Sequence, residues 1–279
     1  MFTTASLAAR IERAECGSLK ELASVAAARP GADVFARELG GGVATFLAAG
    51  SPANKLFGLG FAALPAAEEL AAVEDAFAAR AAPLIAEVSS LADPGVGKLL
   101  TSRGYQLIGF ENVLGLALRP ADFETAMDPL IQIGPIDSSE NHAWMDAVTT
   151  GFLNPDTYDG PPSHESPTRE ELERVLGETF AASSFERILA RRNGSVAGGA
   201  SLRLQDGVAL LAGAATVPEH RRRGVQTAML RYRLRDAARR GCDVATVTTS
   251  PGSKSTDNVQ RFGFAVLYVR AILLKTPGA

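Results

Sequence analysis

Aromatic side chains are scarce in this chain: one Trp, four Tyr and thirteen Phe make up 6% of 279 residues. A core built mainly from Ala, Val, Leu and Phe needs closely matched helices. Cysteine is limited to Cys16 and Cys242, far apart and without CxxC or histidine spacing, which excludes a disulfide framework and a structural zinc site. The three histidines, His142, His164 and His220, and the scattered carboxylates show no metal-ligand pattern, so no metal is expected. No apolar run reaches the ~18 residues of a membrane span. Arg10, Glu12, Arg13 and Glu15 also fall where a secretory signal would carry its apolar stretch, so no membrane association and a cytoplasmic location are expected. Surplus positive charge is lacking too. With 28 Lys and Arg against 31 Asp and Glu, the net charge of -3 argues against nucleic acid as a partner. Gly40-Gly41-Gly42 and Gly58-Leu59-Gly60 lack the Lys and Ser/Thr of nucleotide loops and read as turns, and no Gly-x-Ser-x-Gly elbow occurs.

What is present is a mixed α/β (α+β) pattern. Apolar residues at helical spacing predict helices over 7–28, broken around Gly17, and short apolar runs at 34–39, 43–48 and 55–61 predict a meander of strands. Pro65 then opens a helix with Glu68 and Glu69 in its first turn. A strand at 84–91, a short helix ending at Gly104 and a long or bent strand over 105–118 follow. After residue 122 the order restarts. A strand at 130–133 and helices at 138–152 and 168–180 flank a polar loop at 154–166; strands at 185–191, 195–204 and 208–217, a helix over 225–240, a strand at 243–249, a short helix at 257–262 and a last strand at 264–275 complete it.

A single shift tests whether the halves repeat. Moving the first half by 159 positions lays Gly104-Tyr105 on Gly263-Phe264, Val113-Leu114 on Ile272-Leu273, and residues 87–90 on 246–249, and it starts the Pro65 helix at Gly224. The chain therefore reads as a duplicated domain, 1–124 and 125–279, with a strand exchanged between halves as an open possibility. The copies differ at the helix start. The second carries Arg221-Arg222-Arg223-Gly224-Val225-Gln226-Thr227, whereas the first has Pro65 followed by acids, which disfavours an anion.

A loop presenting backbone N–H groups at a helix start, with Gly for close approach and Arg around it, suits a pyrophosphate. Arg221 and Gly224 resemble motif A of the Gcn5-related N-acetyltransferases (GNAT), (Gln/Arg)-x-x-Gly-x-(Gly/Ala), with Gln226 departing at the last position. Val217-Pro218, Asn258 and Arg261-Phe262-Gly263-Phe264 resemble the family's strand exit and its Gly-Phe ending. The resemblance spans 130 to the end. It implies two tandem GNAT-like domains, each a mixed, mostly antiparallel twisted sheet flanked by helices, the first copy degenerate. It further implies an N-acetyltransferase moving an acetyl group from acetyl-CoA to a primary amine of a small molecule or peptide. Ala215, Thr216, Val217, Arg222, Arg223, Gly224, Val225, Gln226, Thr227, Asn258 and Arg261 would then hold acetyl-CoA, and a backbone N–H of 215–217 would meet the developing oxyanion.

The proton donors are open. Many members place a Tyr four residues before the Gly of Gly-Phe, where this chain has Val259. Ser255 or water could replace that acid, and Glu219 and His220 are candidate bases that also read as a solvated pair beside three arginines. In the loop 154–166, Asp156, Tyr158, Asp159 and Glu165 could hold a cationic acceptor, with Gly160-Pro161-Pro162 as a lid. Trp144 reads as core. The missing Tyr keeps a non-catalytic acetyl-CoA sensor open as an alternative, and an interaction scaffold that binds no CoA is the other.

Overall fold

Thr4 accepts a hydrogen bond from the Leu7 N–H (3.1 Å) and so caps helix α1, Ala5–Ala27. The break expected at Gly17 is absent, and the helix runs through it with the Gln205 side-chain amide filling the space a Cβ would need. In the computed structural model, which describes residues 3–119, 123, 128–156 and 168–277, strands β1 (Phe35–Leu39), β2 (Gly42–Phe46) and β3 (Lys55–Phe57) follow. The expected continuation of β3 to residue 61 fails because the next turn needs positive φ at Gly58 (70°) and Gly60 (79°), outside strand geometry. Helix α2 (Ala67–Ala78), strand β4 (Leu84–Ser89), helix α3 (Gly95–Ser102) and strand β5 (Gln106–Ala117) complete the first half.

The second half contains β6 (Ile131–Pro135), α4 (Asn141–Leu153), α5 (Arg169–Ala181), β7 (Phe185–Arg192), β8 (Ser195–Gln205) and β9 (Val208–Thr216). Then come α6 (Val225–Arg239), β10 (Val244–Thr249), α7 (Lys254–Arg261) and β11 (Ala265–Lys275). Helix α7 begins three residues before the expected start because Ser253 accepts from the Thr256 N–H (3.2 Å) and caps it there. Shifted by 159 positions, α3 coincides with α7 residue for residue.

The eleven strands among the described residues form one sheet in the order β1-β2-β3-β4-β11-β5-β10-β9-β8-β7-β6. The halves exchange their last strands: β11 pairs with β4 of the first half, and β5 pairs with β10 of the second. The two exchanged strands pair antiparallel with each other at the centre, and their register obeys the repeat. Ala265 faces Gly115, and the shifted counterpart of that pair, Gln106 facing Leu274, is also present. Leu114 and Leu273, one shift apart, each fill the other half's core. Leu273 packs with Leu70, Phe77, Val96 and Leu100, whereas Leu114 packs with Leu230, Leu234, Val259 and Phe264.

Helices α2, α3, α6 and α7 cover one face of the sheet. Helix α1 crosses the other, burying Ala8, Ile11 and Ala14 against Val113, Leu210, Val244 and Tyr268. Trp144 is fully buried and donates from Nε1 to the Ala200 carbonyl (3.1 Å), the core role expected for it. Both cysteines are buried thiols. Among the described residues, no helix is long and apolar enough to cross a membrane.

Candidate functional site

Strands β9 and β10 run parallel but pair only over Val208–Leu210 and Val244–Thr246, after which they diverge. Two features of β9 hold the gap open. Between Ala212 and Ala215 the strand carries one residue more than β8 opposite it, a bulge accommodated by Gly213 at φ 56°. Behind the bulge lies Arg233 of α6, fully buried, which donates from Nη1 to the carbonyls of Ser201 (3.1 Å) and Ala212 (3.5 Å) and from Nε to Met229 (3.3 Å). Burial alone pulls this guanidinium down to about 10.

Past the gap, the chain makes a short turn of 3₁₀ helix at Pro218–His220 and enters α6 through Gly224, whose φ of 78° suits glycine. No side chain caps α6, and no acid stands in its first turn. The N–H groups of Val225, Gln226 and Thr227 are therefore left for an anion, at the positive end of a fifteen-residue helix. Arg222, Arg223 and Gly224 are exposed around them, while the Val225 side chain packs inward on Ile131 and Ala197.

The first half differs at the same place. Its strands β3 and β4 pair over Lys55–Phe57 and Ile85–Glu87, and α2 is capped by its own Glu69, which accepts from the Ala66 N–H (3.2 Å). Where the second half has Ala214 and Thr246, the first has Lys55 and Glu87, joined in an ion pair. The first copy thus lacks the free helix start of the second.

A cavity of about 410 Å³ passes through the β9–β10 gap from one face of the sheet to the other. On the α6 side it is lined by Gln226, Leu230, Arg233, Ser255 and Val259. On the α1 side it meets Glu15, Leu19, Lys55, Phe57, Glu87 and Thr246. Of the residues singled out by sequence, Gln226 and Ser255 therefore reach the cavity, and Gly224–Thr227 form the helix start beside it. Ala215 is buried, Thr216 and Val217 are half-buried, and the Val217 N–H is already given to the Ala197 carbonyl (3.1 Å). Asn258 is exposed on α7, as is Arg261, which lies 4.0 Å from Asp257. Glu219 is exposed, and His220 keeps a buried Nδ1 without a partner among the described residues; neither lines the cavity.

Arg221, the motif's first residue, turns away from the helix start. It donates to the carbonyls of Thr216 (3.3 Å), Gly151 (3.3 Å) and Asn154 and pairs with Asp156 (3.3 Å), tying the end of α4 to β9. Asp156 is thereby engaged, while Tyr158, Asp159, Glu165 and the Gly160-Pro161-Pro162 segment lie outside the described residues. Sequence reasoning passed over Glu15, Lys55, Glu87, Thr246 and Arg233. Their signal was a charge inside an apolar pattern, such as Arg233 between Leu230 and Leu234 or Glu87 within Leu84–Ser89.

Residues 152–264 match the acetyltransferase (GNAT) family. Among solved structures, a GCN5-related N-acetyltransferase from Kribbella flavida is 21% identical, covering 97% of this chain and 96% of its own at a TM-score of 0.65. A tandem GNAT protein from the clavulanic acid biosynthesis pathway is 15% identical, covering 95% and 96% at 0.60. A GCN5-related N-acetyltransferase from Sphaerobacter thermophilus is 16% identical, covering 88% and 76% at 0.55. No curated protein matches the chain. With its open β9–β10 gap and its uncapped, arginine-flanked α6, the stretch 152–264 is similar to the acetyltransferase (GNAT) family, and the whole chain has the fold of tandem GNAT proteins.

Proposed function

We propose that the second half binds acetyl-CoA and transfers its acetyl group to a primary amine of a small molecule or peptide. The observation that carries this reading is the continuity of the β9–β10 gap with the free N-terminus of α6, next to a cavity open to both faces of the sheet. The N–H groups of 225–227, with Arg222 and Arg223 beside them, would hold the pyrophosphate, and Gly224 lets it approach the backbone closely. Because the Val217 N–H faces β8, strand alternation turns the Thr216 N–H towards the gap, where it can donate to a carbonyl oxygen gaining charge.

The chemistry asks mainly for placement. The amine nitrogen forms a bond to the thioester carbon and gives up a proton, the C–S bond breaks, and the departing thiolate takes up a proton, leaving an amide and CoA. Ser255, with its hydroxyl at the cavity, is the side chain best placed to serve the thiolate, since Val259 is apolar where many relatives carry a Tyr. The first half serves as a wall of the acceptor site, through Lys55, Phe57 and Glu87. A cytoplasmic location completes the reading.

Val259 also favours a second reading, a sensor that binds acetyl-CoA without turning it over. Calorimetric titration of acetyl-CoA into the wild type and Gly224→Asp, followed by assay of free thiol over an amine panel, separates the two. The transferase reading expects one site per chain, loss of binding in the variant and thiol release with some amine. Binding without thiol release would support the sensor, and no binding at millimolar acetyl-CoA would overturn both.

A further inference from the structure

On the α1 face of the sheet, five neighbouring strands each contribute one polar side chain: Lys55 (β3), Glu87 (β4), Arg270 (β11), Glu111 (β5) and Thr248 (β10). Helix α1 lays Glu12 and Glu15 over this row, both hydrogen-bonded to Arg270. Four carboxylates thus share two cations, and the cavity reaches the cluster at Glu15, Lys55 and Glu87.

We infer that this end of the cavity is the acceptor subsite and that it takes an aliphatic diamine or polyamine, one amine at Thr246 beneath the gap and a second cation between Glu15 and Glu87. The inference rests on the transferase reading above and names its substrate class. Thr246 supplies an observation independent of the acids: its side chain is almost completely buried, it lines the cavity where β9 and β10 part, and its hydroxyl has no hydrogen-bond partner among the described residues. A buried hydroxyl is normally satisfied, and an amine nitrogen at this point would satisfy it. Between Thr246 and the carboxylates the wall is apolar, with Leu19, Phe57, Phe185 and Leu210, which suits methylenes. One acid of the cluster is also disfavoured as a carboxylate. Burial, together with Glu87, pushes Glu111 up to about 7 against the pull of Arg270, and a bound cation would relieve it.

The test uses the full chain saturated with CoA, so that no turnover intervenes, and titrates cadaverine, spermidine and the monoamine n-pentylamine calorimetrically. The diamine should bind at one site at least about tenfold more tightly than n-pentylamine. Glu15→Gln and Glu87→Gln should each remove most of that difference with CoA affinity unchanged, and Thr246→Val should weaken all three amines alike. Because Glu87 also neutralises Lys55, Glu15→Gln is the variant on which the inference stands if Glu87→Gln unfolds. Equal binding of diamine and monoamine, or a preference untouched by Glu15→Gln, would overturn it. Failure of the chain to bind CoA would instead sink the transferase reading, and the same amines titrated into the free chain would still decide whether Glu15 and Glu87 hold a diamine.

Discussion

Arg270 and Glu111 face each other across the central strand pair and are hydrogen-bonded at 3.0 Å, and each occupies in its own half the position the other occupies in the second. The local twofold axis of the duplicated fold therefore runs through an ion pair, and the pair breaks the symmetry it marks: identical residues there would set two like charges together. Arg270 is fully buried. It also bonds Glu12 (2.7 Å) and Glu15 (2.7 Å) from α1, lies beneath the Phe57 ring (4.5 Å), and so joins three segments distant in sequence.

Replacing Arg270 by Met should then be among the most damaging single changes. It leaves Glu12 and Glu111 buried without a cation, and breaking a buried pair from one side costs about 3–5 kcal/mol. The expected outcome is a loss of unfolding free energy of that size in urea titrations, with Arg270→Lys recovering only part of it, because a single ammonium cannot span three carboxylates.

The same cluster sets a pH dependence. Burial raises Glu12 to about 7, only partly opposed by Arg270, and Glu111 likewise stands at about 7. The folded state thus holds protons that the unfolded chain has already released, so stability should fall as pH rises from the ordinary carboxylate range through 7. Thermal melts between pH 5 and 8 should show that decline, and Glu111→Gln should flatten it. A slope unchanged in the variant would remove Glu111 as its source.

How much of this was legible beforehand follows from which residues carry it. The repeat was readable because β-branched, Gly and apolar positions recur at one offset; it placed α3 on α7 and set Leu114 against Leu273. The uncapped helix start was readable because Gly224 and its arginines are local. The strand exchange could not be fixed from sequence, since β5 and β11 are long apolar strands of similar length and either could have paired at home. Glu15, Glu87 and Thr246 were equally hidden. They meet only when α1 crosses the sheet and the two halves interlock, and nothing in their local sequence marks that meeting. Arg221 matched the motif, yet its partners on α4 show a clamp, a role set by a helix about seventy residues away.

Arg233 gives a prediction about the gap itself. Its Nη1 bonds to Ser201 and Ala212 brace the bulge from behind, so Arg233→Met should leave the fold intact, as a buried apolar isostere replaces an unpaired charge. The bulge should lose its fixed geometry. On the transferase reading, kcat should drop by about tenfold or more with acetyl-CoA affinity little changed, the signature of an interaction used in the transition state. Equal losses in binding and turnover would mean that Arg233 only packs.

Gly151 tests how α4 supports the site. A Cβ at this position would fall against the Cβ of Ala215 on β9, and its carbonyl accepts from Arg221, so the helix approaches the strand as closely as glycine permits. Gly151→Val must push α4 away, at an overpacking cost of about 1–3 kcal/mol. Helix propensity works the other way, since Val is the better helix former by a few tenths of a kcal/mol. A net loss of stability therefore isolates the contact. On the transferase reading, displacing β9 at Ala215 should also weaken acetyl-CoA binding in the same variant, and Gly177→Val, on α5 with open space beside it, should do neither.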